Sequence, residues 1–330
     1  MAAKLQLGFD NYALRSSGWK AAQLIDYAAS LKLDVLLLSD PDVFESHDAQ
    51  HLSDLRRRAD DSGIALQAGM LSICPSSKMF DARRGTAEEQ LRQTIRTAHG
   101  IGSPIARCVL GIIHDRSSAG GIEARIEETV AVLRGVRSFA LDHGVKIAVE
   151  NHAGDMQARE LISLIESAGR DFVGALVDAG NATWALEDPL KNLELLAPYA
   201  LSTGIRDSAL WETDSGAMLE WTAIGAGNVD WPAYFKAFAA LCEHVPVVVE
   251  TIPARRFDLP YLQREFWQPY PEARAEDFAA FIGLIKRGQP PAKLIPQAEL
   301  DCRADDASVQ RACLEESLRY CREVLGLGQK

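Results

Sequence analysis

The chain has 330 residues, 47% hydrophobic and 25% charged, with 35 Lys and Arg against 46 Asp and Glu for a formal charge of −11. This composition excludes disorder, collagen and coiled coil, and its acidic sign excludes a phosphate-neutralising nucleic-acid surface. No apolar run approaches the ~18 to 20 residues of a membrane span, the start MAAKLQLGFD lacks a secretory apolar stretch, and six scattered cysteines form no C-x-x-C pair. The expectation is a cytoplasmic protein with free thiols and neither membrane nor nucleic-acid partners.

In chain order, eight short runs rich in Val, Ile and Leu read as strands: residues 5–10, 34–39, 64–70, 106–114, 145–150, 172–178, 200–207 and 245–250. Nearly continuous apolar character marks strands buried on both faces. Between them run segments of helical period, such as Leu91, Ile95, Ala98; Leu161, Leu164, Ile165, Ala168; Phe235, Phe238, Ala239, Cys242; and Phe278, Phe281, Ile282, Ile285. Thr86 and Asp230 stand where helices start, and Gly63, Gly144 and Gly169 where helices stop. Eight such units over roughly 285 residues, about 36 each, predict an α/β fold of the (β/α)8 TIM barrel type. A doubly wound sheet would need a Gly-rich turn after its first strand, but Asp10-Asn11-Tyr12-Ala13-Leu14 follows instead. The barrel is assigned to residues 1–287 and a C-terminal helical extension to 288–330. There Leu314, Leu318, Cys321 and Leu325 share one helical face, fitting either a helix packed on the barrel or an arm joining a homo-oligomer.

Barrel active sites form at the C-terminal ends of strands, so an acid closing an apolar strand marks chemistry. Glu150 closes VKIAVE, Asp178 closes GALVD and Glu250 closes VPVVVE. Each could cap a helix or pair with an arginine. Three anions at one mouth, however, raise one another's energy and call for a cation, and carboxylate oxygens are what Mg2+ or Mn2+ takes.

The segments V-E-N-H (149–152), V-D-A-G-N (177–181), I-R-D (205–207), I-G-A-G-N-V-D-W (224–231) and V-V-E-T (248–251) resemble the xylose-isomerase-like TIM barrel superfamily, which includes sugar isomerases and epimerases. The resemblance spans roughly residues 5 to 285. It implies that Glu150, Asp178 and Glu250 are ligands of a divalent metal, Mn2+ favoured over Mg2+, Co2+ or Zn2+, with Glu150 and Glu250 doubling as the proton-transferring pair. The superfamily's usual His-x-Lys-Asp on the seventh strand is here Gly204-Ile205-Arg206-Asp207. Water, substrate, His114, His152 or Asp207 is left to take the missing histidine's place.

His152 and His114, each just past a strand end, are candidates for proton shuttling or for ordinary loop hydrogen bonds. Asn181 stands where relatives place a second histidine; an amide can hold a hydroxyl but cannot act as a base. Arg206 replaces the lysine of relatives, and Arg255 and Arg256 follow Glu250 in a loop. Their guanidinium forks suit a substrate carboxylate or phosphate, or neighbouring acids. Trp184 and Trp211 could stack on a sugar or simply pack.

A metal flanked by two carboxylates favours an enediolate, so isomerisation or epimerisation of a keto-sugar or sugar acid is the first reading. The same intermediate arises by loss of carbon dioxide from a β-keto sugar acid, making a lyase of the 3-oxo-isoapionate decarboxylase type the alternative. An abasic-site endonuclease of the superfamily is disfavoured by Leu71-Ser72-Ile73, Asn181, Gly204 and the charge of −11. A non-catalytic sugar-binding barrel would not need both Glu150 and Glu250.

Overall fold

The computed structural model describes residues 5–292 and 294–330. All eight expected strands form. The first seven are β1 (Leu7–Asp10), β2 (Val35–Leu38), β3 (Ala65–Ser72), β4 (Ile105–Val109), β5 (Lys146–Glu150), β6 (Val173–Asp178) and β7 (Ala200–Gly204). A hairpin of β8 (Asp207–Thr213) and β9 (Gly216–Thr222) intervenes before the eighth barrel strand, β10 (Val247–Val249), which is followed by β11 (Arg256–Leu259). The barrel sheet is parallel throughout, in the order β10-β1-β2-β3-β4-β5-β6-β7. It closes through Ile205, whose N–H donates to the Val248 carbonyl at 2.8 Å while its own carbonyl accepts from the Glu250 amide at 3.0 Å. With helices between the strands, this is the (β/α)8 TIM barrel.

Two apolar layers hold it. Side chains such as Phe9, Leu36, Ile147 and Val149 join the helices in the main core, while Val35, Leu37, Ile105, Ala148, Leu176 and Val248 pack together as a separate layer. Burying each such side chain contributes roughly 1.5–3 kcal/mol before entropy is subtracted. The helix-start signals hold: Thr86 Oγ1 accepts from the Glu89 amide at 3.2 Å, and Asp230 Oδ1 accepts from the Ala233 amide at 3.0 Å. All six cysteines are free and only Cys302 is exposed. No helix among the described residues is long and apolar enough to cross a membrane.

Of the two readings of the C-terminal stripe, the structure has the helix packed on the barrel. Helix Ala307–Glu323 is no outlying arm: Leu314, Leu318 and Cys321 are buried in the main core, and Leu325 packs against it. Gln310 is bonded both ways to Ser16, at 3.0 Å from its amide and 2.8 Å to its hydroxyl. The stripe that suggested a homo-oligomer is covered by this chain's own barrel, beside β10 and the turn that follows β1. Helix Ala275–Ile285 instead covers a second sheet, β11-β9-β8, in an apolar cluster with Leu210, Leu219, Trp221, Leu259 and Tyr261.

Asp207 is also not available to replace the missing histidine. Its Oδ2 accepts from Gly225 N at 2.9 Å, Gly227 N at 3.0 Å and Trp231 Nε1 at 2.8 Å, and its Oδ1 from Ser208 N at 2.7 Å. The loop I-G-A-G-N-V-D-W is therefore wound around one buried carboxylate. Asp207→Ala should cost about 3 kcal/mol or more in urea unfolding, because it strands several buried donors at once. A loss below about 1 kcal/mol would show that the loop holds without it.

Candidate active site

β5 and β6 are neighbours and β10 meets β7 at the closure, so the acids that end or follow them emerge around one mouth. One oxygen from each of Glu150, Asp178 and Glu250 lies within 4.8 Å of the others, and all three residues are buried. The cluster also holds two arginines. Arg107, on β4, reaches Glu150 Oε2 with Nη2 at 2.6 Å and Nε at 2.7 Å, and donates from Nη1 to the Met70 carbonyl at 2.9 Å. Arg206 Nη2 donates to Asp178 Oδ2 and, at 2.7 Å, to Glu250 Oε2. Asn181 donates its amide N–H to Asp178 Oδ1 at 2.6 Å and its Nδ2 to Glu150 Oε1 at 3.0 Å.

Glycines make room for this arrangement. A Cβ on Gly180 would lie 2.0 Å from Arg206 Cγ, and one on Gly204 would lie 2.4 Å from Asp178 Oδ2. At the seventh-strand position where relatives of the resembling group carry histidine, the space of a side chain is thus filled by Asp178 itself, turned toward Arg206. Arg206 is fully buried, its Cζ 4.5 Å from the centre of the Trp221 ring, and its Nε has no hydrogen-bond partner among the described residues.

A fourth acid, Asp10 at the end of β1, completes the charge set. Burial and the nearby Glu250 push its carboxyl up to about 7 despite Arg107 and the Ser39 hydroxyl. Burial likewise raises Asp178 to about 6 against the pull of Arg206, and raises Glu150 well above the usual range against Arg107. Burial would lower the Arg206 guanidinium, but Asp178 and Glu250 beside it hold it fully charged. Were all four carboxyls ionised, the two guanidiniums would leave two negative charges unmatched. A divalent ion with a preference for oxygen donors fits both that deficit and the donor set, so the buried triad could bind a metal.

A cavity of about 860 Å³ opens above the cluster. Glu250, Arg107, Arg206, Asn181 and His152 line it, whereas Glu150 and Asp178 are not part of its wall. Both oxygens of Glu150 are held, one by Arg107 and one by Asn181. His152 donates from Nδ1 to the Gly111 carbonyl at 2.7 Å if Nδ1 carries the proton, which leaves Nε2 as the lone-pair nitrogen. Burial, aided by Arg107, lowers its pKa to about 3, so the ring is neutral. Trp184 and Arg255 also line the cavity, Arg255 with an ion pair to Asp305 at 3.6 Å.

Other expected residues stay away. β4 ends at Val109, and His114 sits exposed in the short turn Ile113–Ser117, outside the cavity wall. Trp211 is a buried residue of β8 outside the cavity wall, and Arg256 is paired with Glu220 at 2.5 Å. Arg107 and Asp10 were not singled out from the sequence, yet both carried a signal: an arginine inside the apolar strand ARCV, and an acid closing LGFD.

The family profile described as xylose isomerase-like TIM barrel matches residues 13–282. The chain belongs to this family. A 3-oxo-isoapionate decarboxylase of Pectobacterium atrosepticum is 21% identical over 231 residues, 69% of this chain and 76% of that protein. A D-psicose 3-epimerase crystallised in the presence of D-fructose shares the fold with a TM-score of 0.60 at 18% identity, covering 98% of this chain and 100% of that one. The IOLI protein, crystallised with a zinc atom, does so with a TM-score of 0.58 at 15% identity, covering 86% and 96%. Within the family, the Glu-Asp-Glu triad of this chain is accompanied by Gly204 at the end of β7 and Arg206 two residues beyond it.

Two consequences can be measured. Arg206→Met leaves two buried acids without their cation and should cost about 3–5 kcal/mol, with added Mn2+ raising the melting temperature more in the variant than in the wild type. A variant as stable as wild type, and indifferent to Mn2+, would remove Arg206 from its place as the charge balance. His152 has its folded pKa lowered from 6.5 to about 3. Between those values the unfolded chain takes up a proton that the native ring refuses, so stability falls as pH drops below about 6.5. His152→Gln should flatten that slope between pH 7 and 5; an unchanged slope would show that the ring protonates freely in the native state.

Proposed function

We propose that the chain is a divalent-metal-dependent sugar isomerase or epimerase that works on a small keto-sugar or sugar acid through an enediolate. The observation that carries this reading is the division among the three acids: Glu250 faces the cavity with one hydrogen bond, from Arg206, among the described residues, while Glu150 and Asp178 are tied down beneath it. Glu150, Asp178 and Glu250 are the ligands of the ion, with Mn2+ the favoured occupant. Bound there, the ion supplies stabilisation of negative charge on adjacent substrate oxygens as a proton leaves carbon.

The chain's own groups divide the rest of the work. Glu250 takes the proton, being the acid in reach of a substrate in the cavity. His152, neutral and with Nε2 as its lone-pair nitrogen, is the second proton-handling group. Glu150 serves as a ligand rather than as the second base, because it is not part of the cavity wall. Asn181 orients two acids instead of reading a hydroxyl. Arg107, Arg206 and, at the rim, Arg255 face the substrate's oxygens.

A specific observation supports a second reading. Two buried arginines on the cavity wall suit a substrate carboxylate, and the chain resembles a decarboxylase over 231 residues. In that case the group leaving carbon is carbon dioxide, and no isomer forms.

Elemental analysis after Mn2+ supplementation should find about one ion per chain, lost in Asp178→Ala. Glu250→Gln should lower turnover of the keto-sugar or sugar acid roughly 10²- to 10⁴-fold while the circular dichroism spectrum is kept. Wild-type turnover in that variant would remove Glu250 from the base role, and carbon dioxide released without isomer would select the decarboxylase.

A further inference from the structure

We infer that the substrate is a keto-sugar acid whose carboxylate is read at the rim of the cavity by Arg255, away from the carbon that loses its proton. This rests on the isomerase or epimerase reading, in which the carbonyl end lies over Glu250, and it names the group at the other end.

The first argument is the charge of the wall. Among the described residues five arginines line the cavity: Arg84, Arg96, Arg107, Arg206 and Arg255. Arg107 donates to Glu150 and to the Met70 carbonyl, and Arg206 to Asp178 and Glu250, so both floor cations are matched by buried acids. Arg84 grips Asp42 through two bonds, at 3.0 and 2.7 Å, and lies 3.6 Å from Asp81. Arg96 donates to Gln93 at 3.0 Å and sets its guanidinium 5.7 Å from the centre of the Phe139 ring, on the outer helix Gly121–Asp142. The segments after β2 and β3 also bring Asp40, Asp42, Asp81 and Glu89 to the wall, four acids against Arg84 and Arg96. That part of the wall repels a substrate anion.

Arg255 is placed differently. Its one ion pair among the described residues, to Asp305, is 3.6 Å long, and the Asp305 side chain is 71% exposed. A pair beyond hydrogen-bond reach and in water holds weakly. Asp305 is also shared with Arg15, at 3.8 Å. Arg15 lies 5.2 Å from the centre of the Tyr12 ring, which lines the cavity, and its buried Nη1 has no hydrogen-bond partner among the described residues. Two guanidiniums thus meet one solvated carboxylate, on the segments that follow β1 and β10. Those strands are paired, so the cationic rim stands on the Glu250 side of the mouth.

The backbone fixes Arg255 in place. Ala254 before it takes a left-handed φ of 61° and belongs to an apolar cluster with Leu300 and Ala304 of helix Gln297–Ala304. The Arg255 carbonyl accepts from the Trp221 amide at 3.0 Å. A planar carboxylate matches a guanidinium fork in charge and shape, and supplies what Asp305 does not. An anion held at the rim stays on the sugar while the proton moves. The decarboxylase reading puts the carboxylate over the floor instead, where both arginines already have their acids.

The test is isothermal titration of the Mn2+-supplemented wild type with two matched pairs, D-fructuronate against D-fructose and D-tagaturonate against D-tagatose, with D-fructose 6-phosphate and 2-keto-D-gluconate alongside. The uronates carry their carboxylate at the far end from the carbonyl, and 2-keto-D-gluconate carries it next to the carbonyl. At least one uronate should bind about tenfold or more tighter than its neutral partner, the size of one charge-assisted hydrogen bond, and tighter than the other two anions. Arg255→Met should remove most of that preference while changing binding of the neutral sugar less than about threefold, and Arg255→Lys should restore part of it, with the circular dichroism spectrum kept in both. Equal affinities in both pairs, no binding of either uronate, a preference that survives Arg255→Met, or tighter binding of the phosphate or of 2-keto-D-gluconate would each overturn the inference. The titration reads binding alone. A uronate preference without turnover leaves this inference standing while the proposed chemistry falls, and turnover of the neutral sugars without such a preference does the reverse.

Discussion

The guanidinium of Arg206, held between Asp178 and Glu250 out of water, is the constraint on which the rest of the mouth depends. Like charges brought together in a poorly solvated place repel strongly, and the barrel's geometry forces acids from β5, β6 and β10 to one point. Arg206 and Arg107 take up part of that charge, and much else serves them. Gly180 clears the path of the Arg206 stem, Trp221 covers its face, and Asn181 braces Asp178 and Glu150 together. Gly204 belongs to the same arrangement. Since a Cβ there would strike the Asp178 oxygen that turns to Arg206, glycine at 204 and arginine at 206 are two halves of one steric and electrostatic solution.

The barrel was legible because its signals are repeated and local. Eight apolar runs at even spacing can satisfy both-face burial in few ways, and the acids that close three of them mark the mouth without any knowledge of contacts. What escaped was information that only pairing supplies. Asp10 closes its strand as Glu150 and Asp178 close theirs, but a single acid has many structural uses until a partner such as Arg107 stands opposite. Arg107 itself reads as an interruption in an apolar strand. His114 and His152 carry equivalent sequence signals, each past the end of a strand, and they separate only when β4 ends at Val109 and the turn Ile113–Ser117 leaves His114 exposed.

The hairpin was missed for a different reason. Strand β9 alternates in burial from Ala217 onward, as a strand of a half-buried antiparallel sheet does, though β8 does not, and Asp214-Ser215-Gly216 is a usable turn. Within a chain of parallel strands, however, residues 200–207 read as one barrel strand that runs on to Asp207. The structure ends β7 at Gly204, uses Ile205 for closure and starts β8 at Asp207, so that one four-residue stretch serves three different purposes. Asp207 is the join, its carboxylate gathering the amides of the loop that returns from β9. The roof over the mouth consequently brought its own apolar helix, Ala275–Ile285, and the C-terminal helix Ala307–Glu323 took the place beside β10.

That exchange of helices has a bearing on function. In a plain barrel, the residues after the last strand return directly to the outer ring. Here the segment between β10 and the covering helix stays at the mouth, where Ile252, Arg255 and Phe257 join the cavity wall. Glu250 thus heads a segment that supplies an acid, a cation and an aromatic ring within eight residues, and it pairs Phe257 against Leu219 of the hairpin. The wall and the acid are consequently set by the same strand and the same sheet, so movement of the roof would shift both.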